Sequence, residues 1–274
     1  MTHRIPTTPR RPAALLLAFL ASLCMAGAAA AQVPSDAVLR GFEPTGDFVL
    51  WVGGKPVSAE IYQAEAVPAI LVLSSSLPSP VMLLPRQQSV ETVHIMKVAK
   101  QKNGTIDLLA DAVLEPQGQF KVVGEDVAFT VDGRQAQLKT KPPLLGAKNA
   151  AALRAYSPSY GRGAQAYRPN GQQIAALKKA AKPVKVRVFF GSWCPFCKQY
   201  LPHLLKVEEQ LKGSKVQIEY FGLPRDLKHP EAQRLNVHGV PVGIVYVGGR
   251  EVGRISGEGW KTPEAALAKI VSRG

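Results

Sequence analysis

Apolar residues fall into two rhythms along the chain. From 40 to 145 they come as short runs of β type: FVLWV, VSAEIYQ, AILVLSS, VMLL, SVETVHIMKVA, TIDLLAD, QFKVV, VAFTV and AQLKT. Gly53-Gly54, Asn103-Gly104 and Asp132-Gly133 punctuate them as turns. VDGRQAQL predicts a hairpin with Asp132-Gly133 at its tip. From Asn170 the rhythm changes. Asn170 caps an expected helix (GQQIAALKKAA) with Ile174, Leu177 and Ala181 on one face, and Pro183 stops it. VKVRVFF (184–190) suits a buried central strand. Cys197, Leu201, Leu204 and Leu211 then recur at helical spacing up to Gly213. VQIEYFGL, VGIVYV and EVGRIS read as strands, HPEAQRLNV as a short helix, and Thr262 caps a last helix beginning at Pro263. The order from 170 to 274 is α-β-α-β-α-β-β-α.

Between the two rhythms lies a shift in composition. GAKNAAALRAY permits a short helix, but SPSYGRGAQAYRPNG is rich in Gly, Pro, Ser and Tyr. Residues 147–169 are therefore expected to be a linker, its tyrosines able to dock on a domain surface. The expected organisation is a small, mostly-β domain over 32–146, the linker, and an α/β domain over 170–274.

The first 31 residues have a different logic. Arg4, Arg10 and Arg11 precede an apolar run from Ala13, and Ala29 and Ala31 stand where an A-x-A cut would fall. That is the pattern of a secretory signal peptide cleaved after Ala31, which makes the protein periplasmic or otherwise exported. The alternative is an uncleaved membrane anchor, but the second half of the run is mostly Ala and Gly, which gain little from lipid. Only in that alternative is the membrane a partner. Cys24 lacks a lipobox, and Arg10-Arg11 only partly matches a twin-arginine pattern.

Composition narrows the function classes. Hydrophobic residues make up 46% of the 274 and charged residues 20%, enough for packed cores. The net charge is +14, and it is lopsided. Residues 32–165 carry 13 basic and 12 acidic side chains; residues 166–274 carry 18 and 8, a net of +10. An exported chain without a recognition motif is not expected to bind nucleic acid. The excess instead fits a field that favours thiolates, acidic partners, or solubility alone.

Three cysteines cannot make a disulfide scaffold, and removal of the leader leaves Cys194 and Cys197. A pair three positions apart closes almost no loop and adds little chain-entropy stabilisation. Its explanation is chemical. A strand followed by W-C-x-x-C at a helix start puts Cys194 where free N–H groups and the helix dipole favour an anion. Cys194 would attack a disulfide, and Cys197, one turn on, would resolve the mixed disulfide. Pro195 fits the first helical turn, where its missing N–H costs nothing. Zinc would need more ligands than one pair and the lone His203 supply, so no metal is expected and no cofactor is called for. An inert buried pair is the remaining alternative. His94, alone among apolar neighbours, reads as an ordinary strand histidine.

Residues 170–274 resemble the thioredoxin family over their full length. The resemblance rests on Trp193, Cys194, Cys197, Lys198, Pro202, the Val240-Pro241 pair and the Gly-Gly hairpin before the last helix. It implies a thioredoxin-like fold, a central mixed sheet flanked by helices. It also implies a cis Pro241 beside the cysteines and a Val240 backbone that pairs with substrate. Trp193 and Phe196 would then supply apolar rim contacts, with His238 near the groove. Two departures stand out. Pro195-Phe196 replaces the family's Gly-Pro and is closer to glutaredoxin. Val188 stands where the family has a buried acid, so Glu219 is a candidate proton shuttle, its alternative being an exposed strand glutamate. The 44 positions from Cys197 to Pro241 leave no room for the helical insertions of periplasmic oxidases and isomerases. A front domain plus linker matches the layout of the isomerases, and layout alone does not fix function.

Two functions follow. One is an exported thiol–disulfide oxidoreductase acting on protein thiols and disulfides, with a membrane redox partner. The other is a binding or assembly module that uses the thioredoxin-like domain as a recognition platform. Reductant, oxidant and isomerase share this chemistry; a potential near about −270 mV would mark the first and near about −120 mV the second.

Overall fold

The structure, a computed structural model, describes residues 40–64 and 68–274. The expected signal peptide lies outside the described residues. Among those residues no helix is long and apolar enough to cross a membrane.

The front part is a sandwich of two antiparallel sheets. One has six strands in the order Glu43–Pro44, Glu60–Ala64, Ala69–Leu73, Val81–Leu84, Ser89–Val93, Leu114–Gln119. The other has five, in the order Lys121–Val123, Asp126–Val131, Arg134–Thr140, Phe48–Val52, Lys55–Val57. Alternate side chains of both sheets meet in one core that includes Leu50, Ile61, Val72, Leu83, Phe129 and Leu138. The Asp132-Gly133 hairpin forms as the pattern predicts, both residues having positive φ. Leu114–Gln119 escapes the pattern because Pro116 and Gly118 interrupt it. Pro is tolerated there since the strand is an edge, with an irregularity between those two residues. His94 is not in a strand: it caps a short 3-10 turn, and its ring nitrogen accepts from the Met96 N–H.

The rear part is built on a five-stranded sheet. Its elements are β1 (Gly146–Lys148), α1 (Ala150–Tyr156), α2 (Pro158–Ala166), α3 (Gly171–Lys178), β2 (Val184–Phe190), α4 (Pro195–Gln210), β3 (Val216–Gly222), α5 (Pro230–Arg234), β4 (Val242–Val247), β5 (Arg250–Ile255) and α6 (Pro263–Val271). The strand order is β1-β3-β2-β4-β5, with β2 and β3 parallel and the other pairs antiparallel. This is the mixed sheet flanked by helices that the resemblance implies, in the expected order of elements. Strand β2 alternates as a central strand must. Val184, Val186, Val188 and Phe190 join the larger core with Leu201, Leu204 and Leu205 of α4, while Phe189 joins a smaller core with Leu223 and Ala232.

Residues 147–169, expected as a linker, differ most. They are an edge-strand segment and two helices sealed onto the larger core through Leu153, Tyr160 and Ala164. The glycine that reads as flexibility is there for close approach. A Cβ on Gly163 would lie 2.6 Å from the Pro202 Cβ, so α2 can press on α4 only with a bare Cα. Gly163→Ala should therefore destabilise the fold by up to about 2 kcal/mol in chemical denaturation, because overpacking of about 1–3 kcal/mol is offset by only roughly 1 kcal/mol gained in helix propensity.

The sandwich meets the rear part through acids on its side and bases on the other. Asp47 pairs with Lys198 at 2.7 Å, Glu125 with Arg225 at 2.9 Å and Glu43 with Arg162 at 3.2 Å. Gly46 packs against the Ser157 backbone so closely that a Cβ there would sit 2.7 Å from the Ser157 Cα. Both cores thus belong to one compact unit.

Candidate functional site

The loop from Gly191 to Cys194 leads from the buried end of β2 into α4, and local bonds set its shape. The Cys194 N–H donates to the Gly191 carbonyl at 3.0 Å, and the Lys198 N–H donates to the Cys194 carbonyl at 3.1 Å, opening the helix. Cys194 is the N-cap, with extended backbone, and Pro195 takes the first helical position. A Cβ on Gly191 would collide with the Trp193 ring at 2.5 Å, so glycine lets the indole fold back over the loop. The Trp193 Nε1–H then donates to the Leu223 carbonyl at 2.9 Å, with Arg225 over the ring. The Ser192 hydroxyl, buried, accepts from the Leu144 N–H at 2.9 Å and ties the loop to the segment before β1.

Both cysteines are free thiols. They differ in access: Cys194 keeps 5% of its surface exposed and Cys197 none, so an incoming group can meet only the first. They also differ in acidity. The Cys194 thiol is drawn down to about 6, first by a hydrogen bond from the Cys197 thiol. The backbone N–H groups of Cys197 and Phe196 and the Lys198 charge add to this, against burial. Burial pushes the Cys197 thiol far up, and the hydrogen bond it gives to Cys194 pushes the same way, although the Gly191 N–H reaches its sulfur at 3.4 Å. Both shifts favour a thiolate on the outer sulfur and a thiol on the inner one.

The loop before β4 closes the other side. The Val240-Pro241 bond is cis. The Cys194 thiol lies 3.6 Å from the Val240 carbonyl, and the Pro241 carbonyl accepts from the Trp260 Nε1–H at 2.9 Å. Phe196 is 62% exposed beside the pair, an apolar surface open to a visitor.

Glu219 is elsewhere. In the β2–β3 register it sits opposite Arg187, on the sheet face away from α4, and it pairs with Lys185 at 2.7 Å. Alternation along β3 sends Tyr220 inward and Glu219 outward, so this carboxylate is an exposed strand glutamate on the face opposite α4. Val188 is fully buried and offers no acid in its place. His203 stacks on Tyr167 and contacts the Lys261 carbonyl. Among the described residues no group of three His, Cys, Asp or Glu side chains could hold a metal ion.

Some neighbours of the pair have no sequence signal. Tyr160 of α2 is fully buried near the cysteines, its hydroxyl without a partner. Burial, followed by the nearby Cys197, holds its phenol well above the ordinary range. Asp47 reaches Lys198 from 151 positions away.

A dithiol at a helix start, split into an acidic outer and a buried inner sulfur beside a cis proline, defines a thiol-redox α/β domain. A sequence model of the thioredoxin family matches residues 172–273. Thioredoxin-2 of Saccharomyces cerevisiae is 33% identical over 97 residues, 35% of this chain and 88% of that protein. Mitochondrial thioredoxin-2 of Schizosaccharomyces pombe is 31% identical over 90 residues, 33% of this chain and 65% of that protein. The solved mitochondrial thioredoxin 3 of Saccharomyces cerevisiae, in its oxidized form, matches 39% of this chain and 98% of its own at 18% identity and a TM-score of 0.27. The chain belongs to the thioredoxin family. Membership supports a thiol–disulfide oxidoreductase type of activity for its rear part.

Proposed function

We propose that this protein is an exported thiol–disulfide oxidoreductase that exchanges disulfides with protein substrates through Cys194-Pro195-Phe196-Cys197. The observation that carries the reading is the split between the two sulfurs, one acidic and reachable, the other buried and protonated. The Cys194 thiolate attacks one sulfur of a substrate disulfide. An S–S bond forms to Cys194, the substrate S–S bond breaks, and the departing sulfur leaves as a thiolate that takes a proton. Cys197 then loses its proton and attacks the Cys194 sulfur. The substrate leaves as a dithiol and the protein holds a Cys194–Cys197 disulfide. The reverse sequence oxidises a substrate.

Trp193, Val240 and Pro241 frame the ground on which the substrate segment lies, with Phe196 as an apolar rim. Export rests on the basic start, apolar middle and small-residue end of residues 1–31, with the cut after Ala31 and the periplasm as destination. In either direction the cysteine pair must return to its starting redox state after each turnover, and outside the cytoplasm a membrane redox partner would supply that step.

Trapping tests the reading. Cys197→Ala removes the resolving sulfur, so mixed disulfides through Cys194 should accumulate and dissolve on addition of dithiothreitol. Cys194→Ala should trap none. Equal partner capture by Cys194→Ala would sink the enzymatic reading and support the binding module.

A further inference from the structure

We infer that Asp47, carried by the β-sandwich, is a positioning residue for the attacking sulfur: it holds the Lys198 ammonium, counters its charge and so limits how acidic Cys194 becomes. The inference rests on the reading of Cys194 as the nucleophile. It gives the front part a role in the redox chemistry of the rear part.

Geometry carries the argument. Lys198 stands four residues after Cys194, one helical turn on, where its side chain shares a face of α4 with the N-cap sulfur. Its Nζ lies 2.7 Å from the Asp47 Oδ2. Both side chains are about three-quarters buried, at 29% and 25% exposure, so the pair is screened less than a surface pair. Asp47 is anchored. Its N–H donates to the Thr45 hydroxyl at 3.3 Å, its carbonyl accepts from the Lys141 N–H at 2.7 Å, and Gly46 before it is wedged against Ser157. With its backbone held on both sides, Asp47 offers its carboxylate to the ammonium from a fixed point of the chain.

The other charges around the sulfur are already matched. Arg225, over Trp193, is held by Glu125, and Arg162 of α2 by Glu43. Tyr156 and Tyr160, from α1 and α2, have phenols raised by burial and are neutral. Cys197 stays protonated beneath. Lys198 is thus the cation that favours the Cys194 thiolate, and Asp47 is the anion paired with it. Both line a cleft of about 630 Å³ that opens beside Pro195, and its access to solvent keeps the effect moderate.

The test is the pH midpoint of Cys194 alkylation by iodoacetamide in the full chain, with ultraviolet thiolate absorbance as a second readout. Asp47→Asn keeps an acceptor for Lys198 and removes the charge, so the midpoint should fall by about half a pH unit. Lys198→Met should raise it by a similar amount. In the Lys198→Met background, Asp47→Asn should lower the midpoint by clearly less, because only the direct effect of the carboxylate on the sulfur remains. An unchanged or raised midpoint in Asp47→Asn overturns the inference, and so does an equal fall in both backgrounds. Glu43→Gln, which breaks another pair at the same junction, should leave the midpoint alone. A fall there would assign the effect to a loosened junction and overturn the inference too.

Asp47→Ser stands in if Asp47→Asn does not fold. A collapse of both variants overturns a tuning role, since Asp47 would then be a structural residue of the junction. A wild-type midpoint at the ordinary thiol value of about 8.5 sinks the oxidoreductase reading itself. A depressed midpoint indifferent to Asp47 sinks only this inference.

Discussion

Cys194→Ser is expected to abolish disulfide exchange, with a loss of at least about a thousandfold, while leaving the fold intact. The reason is acidity. The reactive species is the thiolate, and a serine hydroxyl at the same helix start stays protonated at any working pH and makes no bond to sulfur. The wild-type rate should carry the matching signature in pH. Only the deprotonated form of Cys194 reacts, and its value is lowered to about 6. Activity should therefore be nearly flat above about pH 7 and fall about tenfold for each pH unit below the midpoint, whereas an ordinary thiol would lose activity from about 8.5 downward. An insulin-type disulfide reduction assay with dithiothreitol as the final reductant reads both. A Cys194→Ser protein with a tenth or more of wild-type activity would contradict the assignment of the nucleophile. A midpoint above 8 would contradict the account of its acidity.

Trp260→Ala should be the most damaging substitution in the rear core, at about 3–5 kcal/mol in chemical denaturation. The indole is 1% exposed, in a short 3-10 turn between β5 and α6. Gly243 of β4 faces its ring, where a Cβ would already be in contact at 3.4 Å. Its Nε1–H is bonded to the Pro241 carbonyl, so one side chain serves both as core and as anchor for the loop beside Cys194. Trp260→Phe separates the roles. It keeps much of the buried area but leaves the carbonyl without its donor, for an expected cost of about 1–3 kcal/mol. A loss below about 1 kcal/mol for the alanine variant would mean that the turn collapses to fill the space.

The rear domain was legible because its signals are local. Strand alternation in VKVRVFF, the Asn170 cap, Pro263 at a helix start, helical spacing after Cys194 and paired glycines at 248–249 each concern a few neighbouring residues, although Thr262 before Pro263 makes no capping hydrogen bond. The candidate site was legible for the same reason, since a helix start with two cysteines one turn apart needs no distant partner to be recognised. Glu219 shows the limit. The choice of an inward or outward side chain on β3 depends on the sheet's register, and with Tyr220 inward the carboxylate goes out to Lys185.

The middle segment shows it again. Gly, Pro and Ser read as looseness because propensity is local, while the helix over Pro158–Ala166 is stabilised by packing. Its Gly163 exists for Pro202, 39 positions away in the chain.

The amino-acid sequence by itself determined a β-rich front, a thioredoxin-type rear and a cysteine pair at a helix N-terminus, because periodicity and caps act within a turn or a strand. Tertiary structure alone decided that Glu219 lies on the sheet face away from α4, paired with Lys185, and that Asp47 stands against Lys198. Burial and charge pairing depend on distance in space, and the chain brings residues 47 and 198 together only once both cores have formed.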